Sequence, residues 1–242
     1  MANETKKGLN TNSNTYTIIY SAVMVIIVAF LLAFVYQTLK ERQDANVALD
    51  KKKQILYALN IRGLNDDEAA AKYKEVVLKD DILDAKMEII PSETTDNESN
   101  GFKLGSAEYK NGQLALYTCK VDGQTKYVVP VYGMGLWGPI SGYIALDEDC
   151  QTVFGAYFNH DSETAGLGAE IKDSQAWQEK FIGKKLFAEG VDGIALSVEK
   201  NVTDPETQVD AVTGATLTSN GVRDMLKEGL GKYSVFFNAQ KK

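Results

Sequence analysis

A chain of 242 residues with 44% apolar content has room for one well-buried domain of ordinary size plus an extra segment or two. Its 33 acidic against 26 basic side chains give a net charge of -7, a balance that offers nucleic acid no electrostatic footprint and excludes it as an expected partner. Two distant cysteines, Cys119 and Cys150, and one histidine, His160, exclude a disulfide framework and a multi-histidine metal site; two small buried thiols are expected instead.

Residues 1–14 read as a polar tail. No side chain from Gly8 to Leu39 is charged, and residues 18–35 are interrupted only by Tyr20 and Ser21. A helix over 15–36 rises about 1.5 Å per residue and spans roughly 33 Å, enough for a hydrocarbon core of about 30 Å. Tyr16, Tyr20 and Tyr36 then fall near the two interfaces, where amphipathic rings are favoured. The apolar run exceeds the ~7–15 residues of a signal peptide and no small-residue cleavage pattern follows, so a retained anchor is expected. Lys6 and Lys7 precede the helix, and Lys40, Arg42 and Lys51, Lys52 and Lys53 follow it. Charge counting alone puts the large domain in the cytoplasm. The helix holds no ionisable residue, so it is not an ion path by itself; Ala22, Ala29 and Ala33 suit the approach of a neighbouring helix.

Residues 40–61 and 66–78 read as helices, together a helical stalk over 37–85. A domain over 86–242 follows. It opens with a polar loop at 91–100. Strands are expected at 107–110, 113–121 and 124–131, joined by the turn dipeptides Asn111-Gly112 and Asp122-Gly123. Two more, at 141–146 and 152–159, flank the acidic turn Asp147-Glu148-Asp149. A helix at 174–182, a strand at 193–198 and a helix at 219–230 complete an α+β domain with a mainly antiparallel sheet.

The most informative string runs Asp210-Ala211-Val212-Thr213-Gly214-Ala215-Thr216-Leu217-Thr218-Ser219. Small residues and hydroxyls precede a helix whose free amides and positive dipole end suit an anion. The plainer reading is equally physical: Thr218 or Ser219 caps the helix and Gly214 turns the chain.

Asp-x-x-Thr-Gly-Ala-Thr resembles the flavinylation motif of the FMN-binding domain family. That resemblance implies FMN joined through its phosphate to Thr216 by a flavin transferase that reads Asp210, Gly214 and Ala215, with Thr213, Leu217 and Thr218 around it. A second string, from Asn159 to Gly168, is similar to the family's flavin loop. There Glu163 and Thr164 offer polar contacts, Leu167 an apolar face, and Gly166 and Gly168 room for a flat ring; Ala165 stands where proline is usual. His160 reads as a hydrogen-bonded residue at a strand end.

A third string, Gly133-Met134-Gly135-Leu136-Trp137-Gly138-Pro139, adds Trp137. Its glycines spell the dinucleotide fingerprint, but a proline and a strand follow where that fingerprint needs a helix, so NAD binding is rejected. The Gly-Leu-Trp run resembles the C-subunit family of bacterial sodium-translocating NADH:quinone reductases. This implies a covalent-FMN electron carrier with no catalytic side chain of its own, passing single electrons from an iron–sulfur centre to the flavin of the B subunit. Partners in the form of the A, B, D, E and F subunits, a single pass through the bacterial inner membrane and a periplasmic domain are implied too, the last against the charge count. Alternatives are the G subunit of an Rnf-type ferredoxin:NAD complex and a non-redox membrane-anchored binding domain.

Overall fold

The computed structural model describes residues 11–84, 89–90 and 97–240. Most of the polar tail expected over 1–14 and of the loop expected over 91–100 lies outside them. The chain divides into two compact units, 1–48 and 49–242. Helix α1, Asn14–Ala58, runs through the first as one continuous element. Its apolar side chains from Ile18 to Leu39 are all exposed, and the helix is long and apolar enough to cross a membrane.

In the second unit the end of α1 buries Ile55, Leu56 and Ala58, then stops where Asn60 takes a left-handed φ of 61°. Asn60 Nδ2 donates to the Phe154 carbonyl at 2.7 Å. Lys51 Nζ donates to the carbonyls of Phe102 (2.5 Å) and Leu104 (2.8 Å). Burial pushes the Lys51 pKa down to about 8, against the pull of Asp80 and Glu108. Helix α2, Asp66–Val76, starts with a capping box in which Asn65 and Glu68 satisfy each other's backbone amides.

Residues expected to prolong the stalk instead enter the sheet as β1, Val77–Leu83, followed by β2, Ile89–Ile90. Lys79, Asp80 and Asp81 hide the strand pattern. Asp80 is buried because its carboxylate accepts from the amides of Asn100 and Phe102. The expected strand at 107–110 is a correction: it is helix α3, Ser106–Lys110, and Gly112, at φ 86°, follows its end rather than turning a hairpin.

The strands β3, Leu114–Val121, and β4, Gln124–Met134, do form a hairpin through Asp122 and Gly123, both at positive φ. With β5, Pro139–Asp147, and β6, Val153–His160, they give a six-stranded antiparallel sheet ordered β2-β1-β3-β4-β5-β6.

The helix expected over 174–182 is the shorter α5, Gln175–Glu179, and it is preceded by an unexpected short helix, α4, Glu170–Asp173. The strand expected at 193–198 is β7, Ser197–Glu199, paired in parallel with β8, Gln208–Asp210. Helices α6, Thr216–Gly231, and α7, Ser234–Gln240, close the chain. Val222, Met225, Leu226 and Leu230 of α6 pack with Val129, Val131, Ile144 and Phe158 of the sheet in the main core. Each fully buried side chain of this size contributes about 1.5–3 kcal/mol. The opposite row of the sheet, Tyr117, Tyr143 and Tyr157, is aromatic, and Tyr57 at the end of α1 packs on Tyr157 with centroids 5.3 Å apart. Cys119 and Cys150 are free and buried.

Candidate functional site

The end of β4, the start of β5 and the end of β6 lie side by side at one end of the strands, since Gly133 pairs with Ile140 and Ile140 with His160. Three loops gather there: 135–138, 161–169 and 211–215. Their centre is the carboxylate of Glu163, which is 7% exposed. One oxygen accepts from the Trp137 amide at 2.8 Å, the other from the Thr218 hydroxyl at 2.5 Å. The Glu163 amide donates to His160 Nδ1 at 3.2 Å, so His160 supports the loop from the strand end. Burial on its own would raise the Glu163 pKa. The Thr218 hydroxyl, the amides of Trp137 and Gly138 and the nearby His160 outweigh it and hold the carboxyl below its ordinary value.

The glycines make this convergence possible. A Cβ on Gly135 would lie 2.5 Å from one Glu163 oxygen; a Cβ on Gly168 would lie 2.5 Å from the other and 2.6 Å from Thr218 Oγ1. Either contact is far inside van der Waals distance. The glycine pattern read as a false dinucleotide fingerprint is therefore a packing device.

Helix α6 begins at Thr216, three residues earlier than expected, with Ala215 at the N-cap. Alanine cannot cap, and neither hydroxyl expected to do so is available. Thr218 binds Glu163, and Ser219 Oγ accepts from the Val212 amide at 3.1 Å. The first helical bond runs from the Ser219 amide to the Ala215 carbonyl at 2.9 Å. The amides of Thr216, Leu217 and Thr218 therefore precede it, with no side-chain cap on the helix. Such an end attracts anions.

Thr213, Gly214, Thr216 and Leu217 are exposed at this point, as are Thr164, Gly166 and Leu167 of the neighbouring loop. Gly214 has φ 78°, and a Cβ there would sit 2.9 Å from Leu167 Cδ2, so the two loops touch. Met134, Leu136, Trp137, Leu167 and Leu217 present large apolar surfaces to solvent, with Trp137 67% exposed. The structure thus brings all the site residues expected from sequence into one region. It also adds two that sequence did not signal, from 30 and 33 positions away: Lys180 pairs with Asp210 at 2.8 Å, and Trp177 Nε1 donates to the Asp210 carbonyl at 2.8 Å.

Residues 135–231, which hold the start of α6, the carboxylate and the apolar rim, match the FMN-binding domain family. The C subunit of the Na(+)-translocating NADH-quinone reductase of Haemophilus ducreyi is 32% identical over 95% of this chain and 96% of its own length. The crystal structure of the corresponding C subunit from Parabacteroides distasonis superposes with a TM-score of 0.74 at 34% identity, covering 82% of this chain and 96% of that one. NqrC of Shewanella oneidensis, at 24% identity, shares the fold with a TM-score of 0.65 over 81% of this chain and 98% of its own. The chain belongs to the C-subunit family of the Na(+)-translocating NADH-quinone reductase.

Proposed function

We propose that this chain carries FMN esterified through its phosphate to Thr216 and serves as a single-electron carrier within a sodium-pumping NADH:quinone reductase. The observation that carries the proposal is the exposed hydroxyl of Thr216 at the first position of an uncapped helix, beside an apolar rim. A phosphate diester on that oxygen would lie near the free amides of the first turn. Leu167, Leu217 and Trp137 offer apolar surface to a flat ring, Gly166 and Gly214 leave the backbone thin, and Thr213 and Thr164 supply hydroxyls. Ala215, Thr218, Glu163 and Gly168 shape the loop from behind.

FMN, when bound, supplies reversible one-electron exchange; the chain contributes position and electrostatics. In this reading electrons arrive from an iron–sulfur centre in neighbouring membrane proteins of the complex and leave to the flavin of the B subunit. Oxidation of NADH and passage of sodium belong to the partners among the A, B, D, E and F subunits. The helix α1 anchors the chain in the bacterial inner membrane with its domain in the periplasm, where a covalent bond retains a cofactor that would otherwise be lost by dilution.

Attachment requires a flavin transferase and an activated donor, an anhydride joining the FMN phosphate to a second phosphate. The Thr216 oxygen forms the new bond to phosphorus as the bridging P–O bond of the anhydride breaks. The second phosphate leaves with the electron pair, and the hydroxyl proton passes to a base of the transferase. Free FMN would have to expel an oxide or water, a far poorer leaving group.

Intact-mass measurement of the chain from its native membrane tests the proposal. A mass increase equal to FMN minus water, mapped to the peptide holding Thr216, is expected, with fluorescence surviving denaturing electrophoresis. Thr216→Ala should abolish both. A native mass equal to the bare polypeptide would overturn the proposal.

A further inference from the structure

The residues that present Thr216 are packed shut. Val212 and Ala215 are 9% and 7% exposed, and Thr218 and Ser219 are each 1% exposed. Four hydrogen bonds close the segment: Thr218 to Glu163 at 2.5 Å, the Val212 amide to Ser219 at 3.1 Å, the Ala215 amide to the Val212 carbonyl at 3.1 Å, and the Ser219 amide to the Ala215 carbonyl at 2.9 Å.

An enzyme that transfers a group onto a side chain must bring the acceptor oxygen into its own water-excluding site. Peptide segments are usually taken up for this purpose in extended form, gripped by backbone and by alternate side chains. The folded segment 210–219 cannot be gripped in that way. Its surface shows Thr213, Gly214, Thr216 and Leu217, the last two already wound into a helical turn. On the other side the chain is fixed at Asp210, by Lys180 and Trp177 and by the pairing of β8 with β7.

We propose that the flavin transferase acts on an opened form of this domain, in which the first turn of α6 unwinds and residues 211–219 leave their seat while the rest of the sheet stays folded. The Thr218–Glu163 and Ser219–Val212 bonds are the latch that sets how often the form is populated. The proposal rests on the reading of Thr216 as the flavin acceptor. Local openings of this kind cost less free energy than global unfolding, so the open form is reachable under native conditions. The bonds made and broken at phosphorus are the same in either form; opening changes only access. Reclosure then returns the loaded threonine to the uncapped amides of α6.

The test follows the labelling of the unmodified full chain in detergent, with purified transferase and the activated flavin donor, by in-gel fluorescence over time. A free peptide of residues 208–219 serves as the reference. Glu163→Met, close in shape but with no carboxylate to accept, and Thr218→Val should each speed initial labelling by about tenfold, the factor by which loss of a buried hydrogen bond of this kind shifts an opening equilibrium. Thr218→Ser, which keeps the donor, should label more slowly than Thr218→Val. In urea below the global unfolding transition, labelling of the wild-type chain should rise relative to that of the peptide, a readout independent of any variant's folding.

Unchanged or slower labelling of both latch variants overturns the gate, as does a flat ratio of chain to peptide labelling across the urea series. If neither wild-type chain nor peptide is labelled, the acceptor assignment itself falls. Normal wild-type labelling with no latch effect removes only the gate.

Discussion

Each oxygen of the Glu163 carboxylate holds a donor from another element, the Trp137 amide of a loop and the Thr218 hydroxyl of α6, so this side chain shapes the site from behind. Its folded pKa lies below the ordinary carboxyl value. That direction sets the sign of the pH dependence. The contribution to stability is complete above the unfolded pKa and is lost as pH falls through the folded one. The stability advantage of wild type over Glu163→Gln should therefore shrink between about pH 5 and pH 3, a trend measurable as urea midpoints across that range. At Gly168 the argument is steric. Gly168→Ala forces a methyl against Glu163 and Thr218, and overpacking of this kind costs about 1–3 kcal/mol, visible as a lowered urea midpoint. At this scale the sequence offered Thr218 or Ser219 as a helix cap, and neither caps it. Thr218 and Ser219 looked like helix caps because hydroxyls before a helix usually are. Their real partners, Glu163 and Val212, lie 55 and 7 residues away, and no local pattern encodes the first of these.

The loop from Thr164 to Leu167 is a type II turn in all but its second residue. The Leu167 amide donates to the Thr164 carbonyl at 3.1 Å, and Gly166 has φ 72° at the third position. Ala165 occupies the place in such a turn that prefers proline. Ala165→Pro is expected to stabilise the domain by about 0.4–1 kcal/mol through the unfolded chain, read as a higher melting temperature with no change in near-ultraviolet circular dichroism. Other elements differ in how openly they announce themselves. Strands β3 to β6 are rich in β-branched and aromatic residues and the β3–β4 turn carries Asp122-Gly123, so they were legible. Strand β1 was not, because Asp80 sits in it to receive the amides of Asn100 and Phe102. Helix α3 resembled a strand before Asn111-Gly112, since a glycine with positive φ ends helices as readily as it turns hairpins. The start of α6 escaped notice because its N-cap is Ala215, a residue that cannot cap.

The molecule as a whole joins an exposed apolar helix to a domain with its own two-sided core. The compact unit begins at Leu49, and the residues at the end of α1 that are bonded, buried or stacked within it, Lys51, Ile55, Leu56 and Tyr57, all lie beyond that point. A chain begun at Ala45 should accordingly remain in solution without detergent and unfold cooperatively with the sheet intact, as followed by circular dichroism. Persistent aggregation without detergent would contradict this division of the fold. The apolar run and the sheet class could be read from sequence alone, whereas the meeting of three separate strings at one carboxylate could not, because it is a product of topology. That meeting also constrains inheritance. Residues 135 and 168 have no room for a side chain while the acid at 163 and the hydroxyl at 218 stay in place, so across diverging lineages the four should drift as a set or stay fixed together. A lineage that lost the acid would be expected to show side chains returning at the two glycines.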